Sequence, residues 1–513
     1  VLVRARLERY GAALALAAIV VAGGTLRFAT LGAQSLDHDE AFTAVHVIHP
    51  SLASTLAAVV RSERSPPLYY LASWAWTRAF GTGVIGLRSL SAALGTLTIA
   101  AAYLAGRELA SRRAGLVAAA LVAFNPYLIW FSQEARSYGL MIALVALALG
   151  LFARALREPT PAVLAGWALA SALALCSHYF AAFAFAPEAA LLAWRVPRGR
   201  SRAVAAGAAA GLVGAALVPL AVIQEHGGRP NQFTAVPLAS RAFATLVRFA
   251  TVEGPHPFSG MGDTIPAQRA LAAATVAVLA LGAWAGLRRG ARAERRGAAL
   301  AGAVGAGAFG LPLLLAAGGL DYVDSRNLAV ALVPLLVAAA IGLGALRLPA
   351  ARIAAAGASL ALFVGAFALA ETTPALERTD WAALAAAVER VPRGAVILVP
   401  RHSGTPIDYY DHAGLAALGA TEAPRGHPAR LVSVGMAAHR VAALLGYRLA
   451  SVRTLPGDVT VDTFVAAHRH GSPARRSPPH VHLVASGRGR ANARPGRSPG
   501  QRGTAKRPAI PTA

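Results

Sequence analysis

The stretch "SLDHDEAFTAVH", residues 35–46, gathers Asp37, Asp39 and Glu40 beside His38 and His46 in a chain that has only 24 acidic residues in 513. Carboxylates this close can share work: one takes a proton from a hydroxyl while a neighbour orients it or its partner. Asp37 and Asp39, with His38, also offer oxygen and nitrogen donors that a divalent metal such as Mg or Mn could use. The sequence identifies no cofactor beyond that. Other chemistry-bearing residues recur in two further stretches, "WFSQEARSYGL" with Gln133, Glu134, Arg136 and Tyr138, and "GLDYVDSRN" with Asp321, Asp324 and Arg326. Together they offer a base that activates a hydroxyl and cations that hold a phosphate as it leaves.

Such residues need a frame, and the composition says of what kind. The chain is 56% hydrophobic and 14% charged, with mean hydropathy +0.51, far more apolar surface than one soluble core requires. Apolar blocks of roughly 20 residues, the length that spans a bilayer, recur at about 11–31, 89–106, 114–131, 137–153, 161–177, 179–194, 203–223, 270–287, 298–318, 327–346 and 351–370. The expected body is therefore an α-helical polytopic membrane protein with about eleven transmembrane helices over residues 1–370. The first block is long for a cleavable leader, so it reads as the first span.

Alternate connections differ in charge. "GRELASRR", "ARALREP", "RVPRGRSR", "LRRGARAERR" and "RLPAAR" are short and arginine-rich, which places them and the N-terminus (Arg4, Arg6, Arg9) in the cytoplasm. The opposite connections hold most of the acids of the membrane region, so the three chemistry-bearing stretches share the extracytoplasmic face. The net charge of +25 comes from those inner loops and a Pro/Gly/Ser/Arg tail, a distribution that points away from nucleic acid. Residues 371–470 change texture: "AVILVP", "ARLVSV" and "YRLASVRTL" read as strands among helices, a small extracytoplasmic α/β domain. From 471 onward the basic tail is expected to be disordered. The lone Cys176 cannot form an internal disulfide, and no CxxC or HExxH spacing is present.

The order of Asp-Glu in the first outer loop, then "PPLYY", "RSLSAALGTLTIAAAYLAGREL", "NPYLIWFSQEARSYGL" and "SHYFAAF" resembles the GT-C glycosyltransferases of the protein-mannosyltransferase and aminoarabinose-transferase type. The likeness runs over most of residues 10–350. It implies a GT-C fold in the inner (plasma) membrane and the transfer of a sugar, with inversion, from a polyprenyl-phosphate donor to an extracytoplasmic acceptor that is a protein, a glycolipid or a cell-wall glycan. It places the catalytic pair on Asp39 and Glu40, with Asp39 as base. Arg64, Arg136 and Arg326 then fall at the donor phosphate, and Tyr69, Glu134, Tyr138 and His178 at the substrate. Two departures stand out. Ser65 precedes Pro-Pro where many relatives carry His or Lys, which leaves Arg64 or Arg61 to take that place, and Asn327 follows Arg326 where an aromatic is common. The main alternative is a transporter or flippase of a lipid-linked sugar, which also needs an arginine-lined cavity.

Overall fold

The computed structural model describes residues 2–196, 199–225, 236–254, 264–373, 376–389, 396–399, 404–410, 418–419, 430–434, 447–455 and 459–466, with the side chains of 2–9 and of most of the C-terminal strands left aside. Val1–Ala467 is one compact unit. The basic tail lies outside the described residues.

The long helices are α1 (Leu2–Phe28), α5 (Val84–Leu109), α8 (Tyr138–Ala155), α14 (Pro266–Arg289), α15 (Arg292–Ala317) and α18 (Pro349–Thr372). Two more spans are composite, α11 with α12 (Arg200–Ala216, Val218–Glu225) and α16 with α17 (Ser325–Leu328, Leu332–Gly344). Among the described residues eight segments are long and apolar enough to cross a membrane, and a ninth if the pair α6 (Arg112–Phe124) and α7 (Pro126–Ser132), bent by 63°, counts as one. Two of the eleven expected spans form helices of fewer than 18 residues. The run at 161–177 forms α9 (Pro161–Ser177) and the run at 179–194 yields only α10 (Ala182–Arg195), with 17 and 14 residues. Large apolar side chains that face outward, such as Leu97, Leu169, Leu212, Leu281, Trp284 and Ile353, sit on these helices as a bilayer requires.

The core mixes Leu, Val, Phe and Trp with many alanines, and helix crossings use small residues. Helix pairs in lipid gain little from burying apolar area and rely on close backbone approach. At the α14–α17 crossing a Cβ on Gly286 would lie 1.9 Å from the Gly342 carbonyl oxygen, so no larger side chain fits. The break at Asn125–Pro126 strips α6 of hydrogen-bond partners at its last carbonyls. Arg27, fully buried, fills the gap by donating to the Val122 and Ala123 carbonyls at 3.0 and 2.8 Å.

Short helices α2 (His38–Phe42), α3 (Leu52–Ser62) and α4 (Leu68–Phe80) fill the first connection. After α18 come α19 (Trp381–Glu389), α20 (Gly404–Tyr410) and a five-stranded sheet in the order β2-β1-β3-β5-β4, from β1 (Val396–Val399), β2 (Leu418–Gly419), β3 (Arg430–Val434), β4 (Tyr447–Leu455) and β5 (Val459–Ala466). β1 pairs in parallel with β2 and β3, and β5 runs antiparallel to β3 and β4. This is the expected small α/β region. It grips the first connection: the Leu36 amide donates to the Tyr410 hydroxyl at 2.7 Å, Ser35 Oγ to Asp380 at 2.8 Å, and Tyr409 to the Thr82 carbonyl at 3.0 Å.

Candidate active site

Asp37 begins α2 in an extended conformation, and Glu40 turns back to accept its amide at 2.9 Å, a helix-start arrangement that fixes the whole turn. Arg88, at the start of α5, grips the Glu40 carboxylate through Nε and Nη2 at 2.8 and 2.6 Å. Its remaining protons go to the carbonyls of Leu31, Gln34 and Ser35. The Ala135 amide adds a bond to Glu40 at 2.8 Å, and Arg378 approaches to 3.6 Å. Burial opposes charge on Glu40, but Arg88 outweighs it and pulls the carboxyl down to about 2. Glu40 therefore holds the loop and, contrary to the expected second catalytic role, does not line the cavity below.

Asp39 points the other way. Its Oδ2 accepts from Arg326 Nη1 at 2.8 Å and its Oδ1 lies 3.5 Å from His38 Nδ1. Arg326 is shared with Asp324, which takes its Nε at 2.9 Å. Arg136 forks onto Glu63 with both bonds at 3.0 Å and reaches Thr43 at 2.9 Å, while Tyr70 donates to Glu63 at 2.6 Å. Burial would raise Asp39, yet His38, Arg326 and Arg136 outweigh it and hold the carboxyl well below the usual range. For Asp37, burial and then the Asp39 charge push the other way, upward.

These groups meet at the polar end of a cavity of about 500 Å³. The other end is apolar, with Phe183, Val218, Val222, Leu315 and Leu320. Of the expected site residues, Asp39, Arg64, Arg136, Tyr138, His178 and Arg326 line it; Asp37, Glu40, Tyr69 and Glu134 do not. His178 packs on the Tyr138 ring at 5.3 Å, and burial, then the charges of Arg136 and Arg326, lower it to about 3, so it is neutral. Arg64 is exposed to the cavity, and among the described residues no carboxylate pairs with it. Tyr69 is buried edge-on against Tyr70 at 5.5 Å; the network uses Tyr70 instead. Glu63 and Tyr70 were not singled out for the site from the sequence, although Glu63 lies in the same "RSERSPPLYY" stretch as Arg64. Among the described residues no three His, Cys, Asp or Glu side chains converge as metal ligands. Asp39 is neutralised by arginine instead, so Asp37 and Asp39 do not fit a metal and no step passes through one.

Glu134 is buried beside this network, and burial, only partly offset by Arg378, lifts it to about 8 from an ordinary 4.5. A carboxyl raised on folding contributes stability below its unfolded value and loses it as pH rises through the folded one. We expect the melting temperature in detergent to fall between about pH 5 and pH 9, and Glu134→Gln to flatten that fall. An unchanged slope in the variant would contradict the assignment.

Residues 64–223 match the family profile described as dolichyl-phosphate-mannose-protein mannosyltransferase. No curated protein matches the sequence. Among solved structures, ArnT from Cupriavidus metallidurans bound to undecaprenyl phosphate is similar with a TM-score of 0.55 at 14% identity, over 90% of this chain and 99% of that one. The chain has a GT-C fold. The archaeal oligosaccharyltransferase AglB from Archaeoglobus fulgidus, in complex with an inhibitory peptide and a dolichol-phosphate, matches at a TM-score of 0.47 and 13% identity, over 85% of this chain and 71% of that one. Within this GT-C chain the profile segment contains Arg64, Arg136, Tyr138 and His178, whereas Asp39 and Arg326 are brought to them by the fold.

Proposed function

We propose that the protein is a membrane glycosyltransferase that moves a sugar from a polyprenyl-phosphate donor to a hydroxyl of an extracytoplasmic protein, glycolipid or cell-wall glycan, with inversion. The observation that carries this reading is the Asp39–Arg326 pair at the polar end of a cavity whose other end is apolar. A lipid tail suits the apolar end, and undecaprenyl phosphate bound to ArnT supports that donor class. Asp39 takes the acceptor proton as its oxygen bonds to the anomeric carbon. The bond from that carbon to the phosphate oxygen breaks, and the electron pair leaves on the phosphate. Arg64 and Arg326 hold the charge that develops there, with Arg136, locked onto Glu63, adding positive field.

Orientation follows from arginine. Arg107, Arg112, Arg113, Arg154, Arg157, Arg288, Arg289, Arg347 and Arg352 lie at helix ends in short connections, and this clustering supports the reading in which these connections are cytoplasmic and the cavity's polar end faces outside.

The test is a panel of labelled polyprenyl-phosphate sugars given to purified protein in vesicles, with label followed into lipid, protein and glycan. We expect a new glycosidic bond, and Arg64→Ala to raise the donor requirement about 10-fold or more at unchanged stability, as loss of a charged hydrogen bond does. Movement of intact donor across the vesicle without a new bond would replace the transferase by a transporter.

A further inference from the structure

The turn at residues 321–326 forms one wall of the polar end and is held from several sides. Arg241 donates to the Val323 carbonyl at 2.7 Å and pairs with Asp321 at 2.9 Å. Tyr127, fully buried on α7, donates to the Ser325 carbonyl at 2.7 Å, and Asn327 Nδ2 closes onto the Tyr322 carbonyl at 2.9 Å. The backbone that carries Arg326 is thus fixed, and what remains adjustable is its guanidinium.

Among the described residues that guanidinium pairs with Asp324 and Asp39, whose surroundings are unequal. Asp324 has a side chain 1% exposed, accepts from Nε, and lies 3.2 Å from Ser325 Oγ, whose one proton is placed between Asp324 and Glu253, the latter 2.8 Å away. Asp39 has a side chain 28% exposed, lies on the cavity, and accepts from Nη1. A bond at Nε fixes the plane of a guanidinium near its stem and leaves the outer edge able to change acceptors, a property of the planar fork that an ammonium lacks. A phosphate arriving from the cavity meets the outer edge, and the acceptor it can displace is Asp39.

We propose that Asp324 is the positioning residue of the donor site: it holds Arg326 by Nε so that Nη1 passes from Asp39 to the donor phosphate, and Asp39 is released as a base only once the donor is bound. This rests on the transferase reading and adds an order to it. Before donor binding the base is capped by its own arginine; afterwards the same arginine stabilises the leaving group. Without Asp324 the guanidinium turns its whole fork onto Asp39, and the phosphate has to break a two-bond pair rather than a single bond.

Binding of undecaprenyl phosphate to the full-length protein in detergent, measured apart from transfer, tests this. Asp324→Asn should weaken binding about 10-fold, the size of one charged hydrogen bond, and Asp324→Glu should restore part of it. Adding Asp39→Asn to Asp324→Asn should restore binding, because the competing carboxylate is gone; a purely structural loss would not be rescued this way. Wild-type binding by Asp324→Asn, or no rescue in the double variant, overturns the proposal. If Asp324→Asn does not fold, Ser325→Ala, which loosens Asp324 from behind, should weaken binding about threefold, within the range of one neutral hydrogen bond, and wild-type binding there overturns it equally. A wild-type protein that binds undecaprenyl phosphate but forms no glycosidic bond would defeat the transferase reading alone.

Discussion

Asp39→Asn should transfer sugar about 100-fold to 10,000-fold more slowly than the wild type, the usual size of a lost general base, while folding normally and still binding the lipid donor. The amide keeps the size of the carboxyl and can still accept a hydrogen bond from Arg326, but it cannot take the acceptor's proton. Asp39 is suited to the role because its arginine and histidine neighbours keep it ionised despite its surroundings. A depressed carboxyl is charged above its folded value and loses that charge only as pH falls through it, so the donor-free protein carries an ionised Asp39 across the neutral range. Losing the negative charge also removes the phosphate's competitor for Arg326, so donor affinity should hold or rise. Labelled-donor kinetics on protein with a wild-type melting curve decide the matter, and near-normal transfer would return the acidic cluster to plain loop solvation.

One residue further on, the expected failure is of a different kind. Glu40→Gln or Arg88→Met should lose activity through folding, because each leaves a buried charge without its partner, which costs about 3–5 kcal/mol. The pair is 2.6 Å apart with both side chains almost fully enclosed. Arg88 also satisfies three carbonyls of the chain leading into α2, so its loss should expose residues 31–40 to protease. The combined variant Arg88→Met with Glu40→Leu should stay destabilised, since it leaves buried Arg378 without Glu40 and the three carbonyls without a donor. Melting temperatures and protease maps of adjacent Asp39 and Glu40 variants would separate chemistry from support. Equal melting temperatures for Glu40→Gln and wild type would refute the supporting role.

The membrane body was legible because each apolar block announces a span regardless of its neighbours. The shortening of α10 was not, since nothing local shows that residues 179–181 take a tighter turn. In the first connection the clustering of acids was visible but their division of labour was not. Successive residues of a helix point about 100° apart, so Asp39 and Glu40 had to separate, and which one met solvent depended on Arg88 and Arg326, far along the chain. The same rotation exchanged Tyr69 for Tyr70. Glu63 escaped notice because a lone glutamate between arginines reads as a solvated surface charge until the fold encloses it with Arg136. The strands of the C-terminal region could be read from their β-branched runs, but the hold that Asp380 and Tyr410, the latter on α20, have on residues 35–36 is long-range and leaves no local trace.

That hold also has a meaning in time. Ser35 and Leu36 are made before helices α5 to α18, yet the Asp380 side chain and the Tyr410 hydroxyl they bind are made only after them. The segment that carries Asp39 therefore waits, while helices α5 to α18 are made, for a later part of its own scaffold. A nascent chain arrested after α18 and before residue 410 would hold these helices around a centre that still lacks the Tyr410 hydroxyl bound by the Leu36 amide.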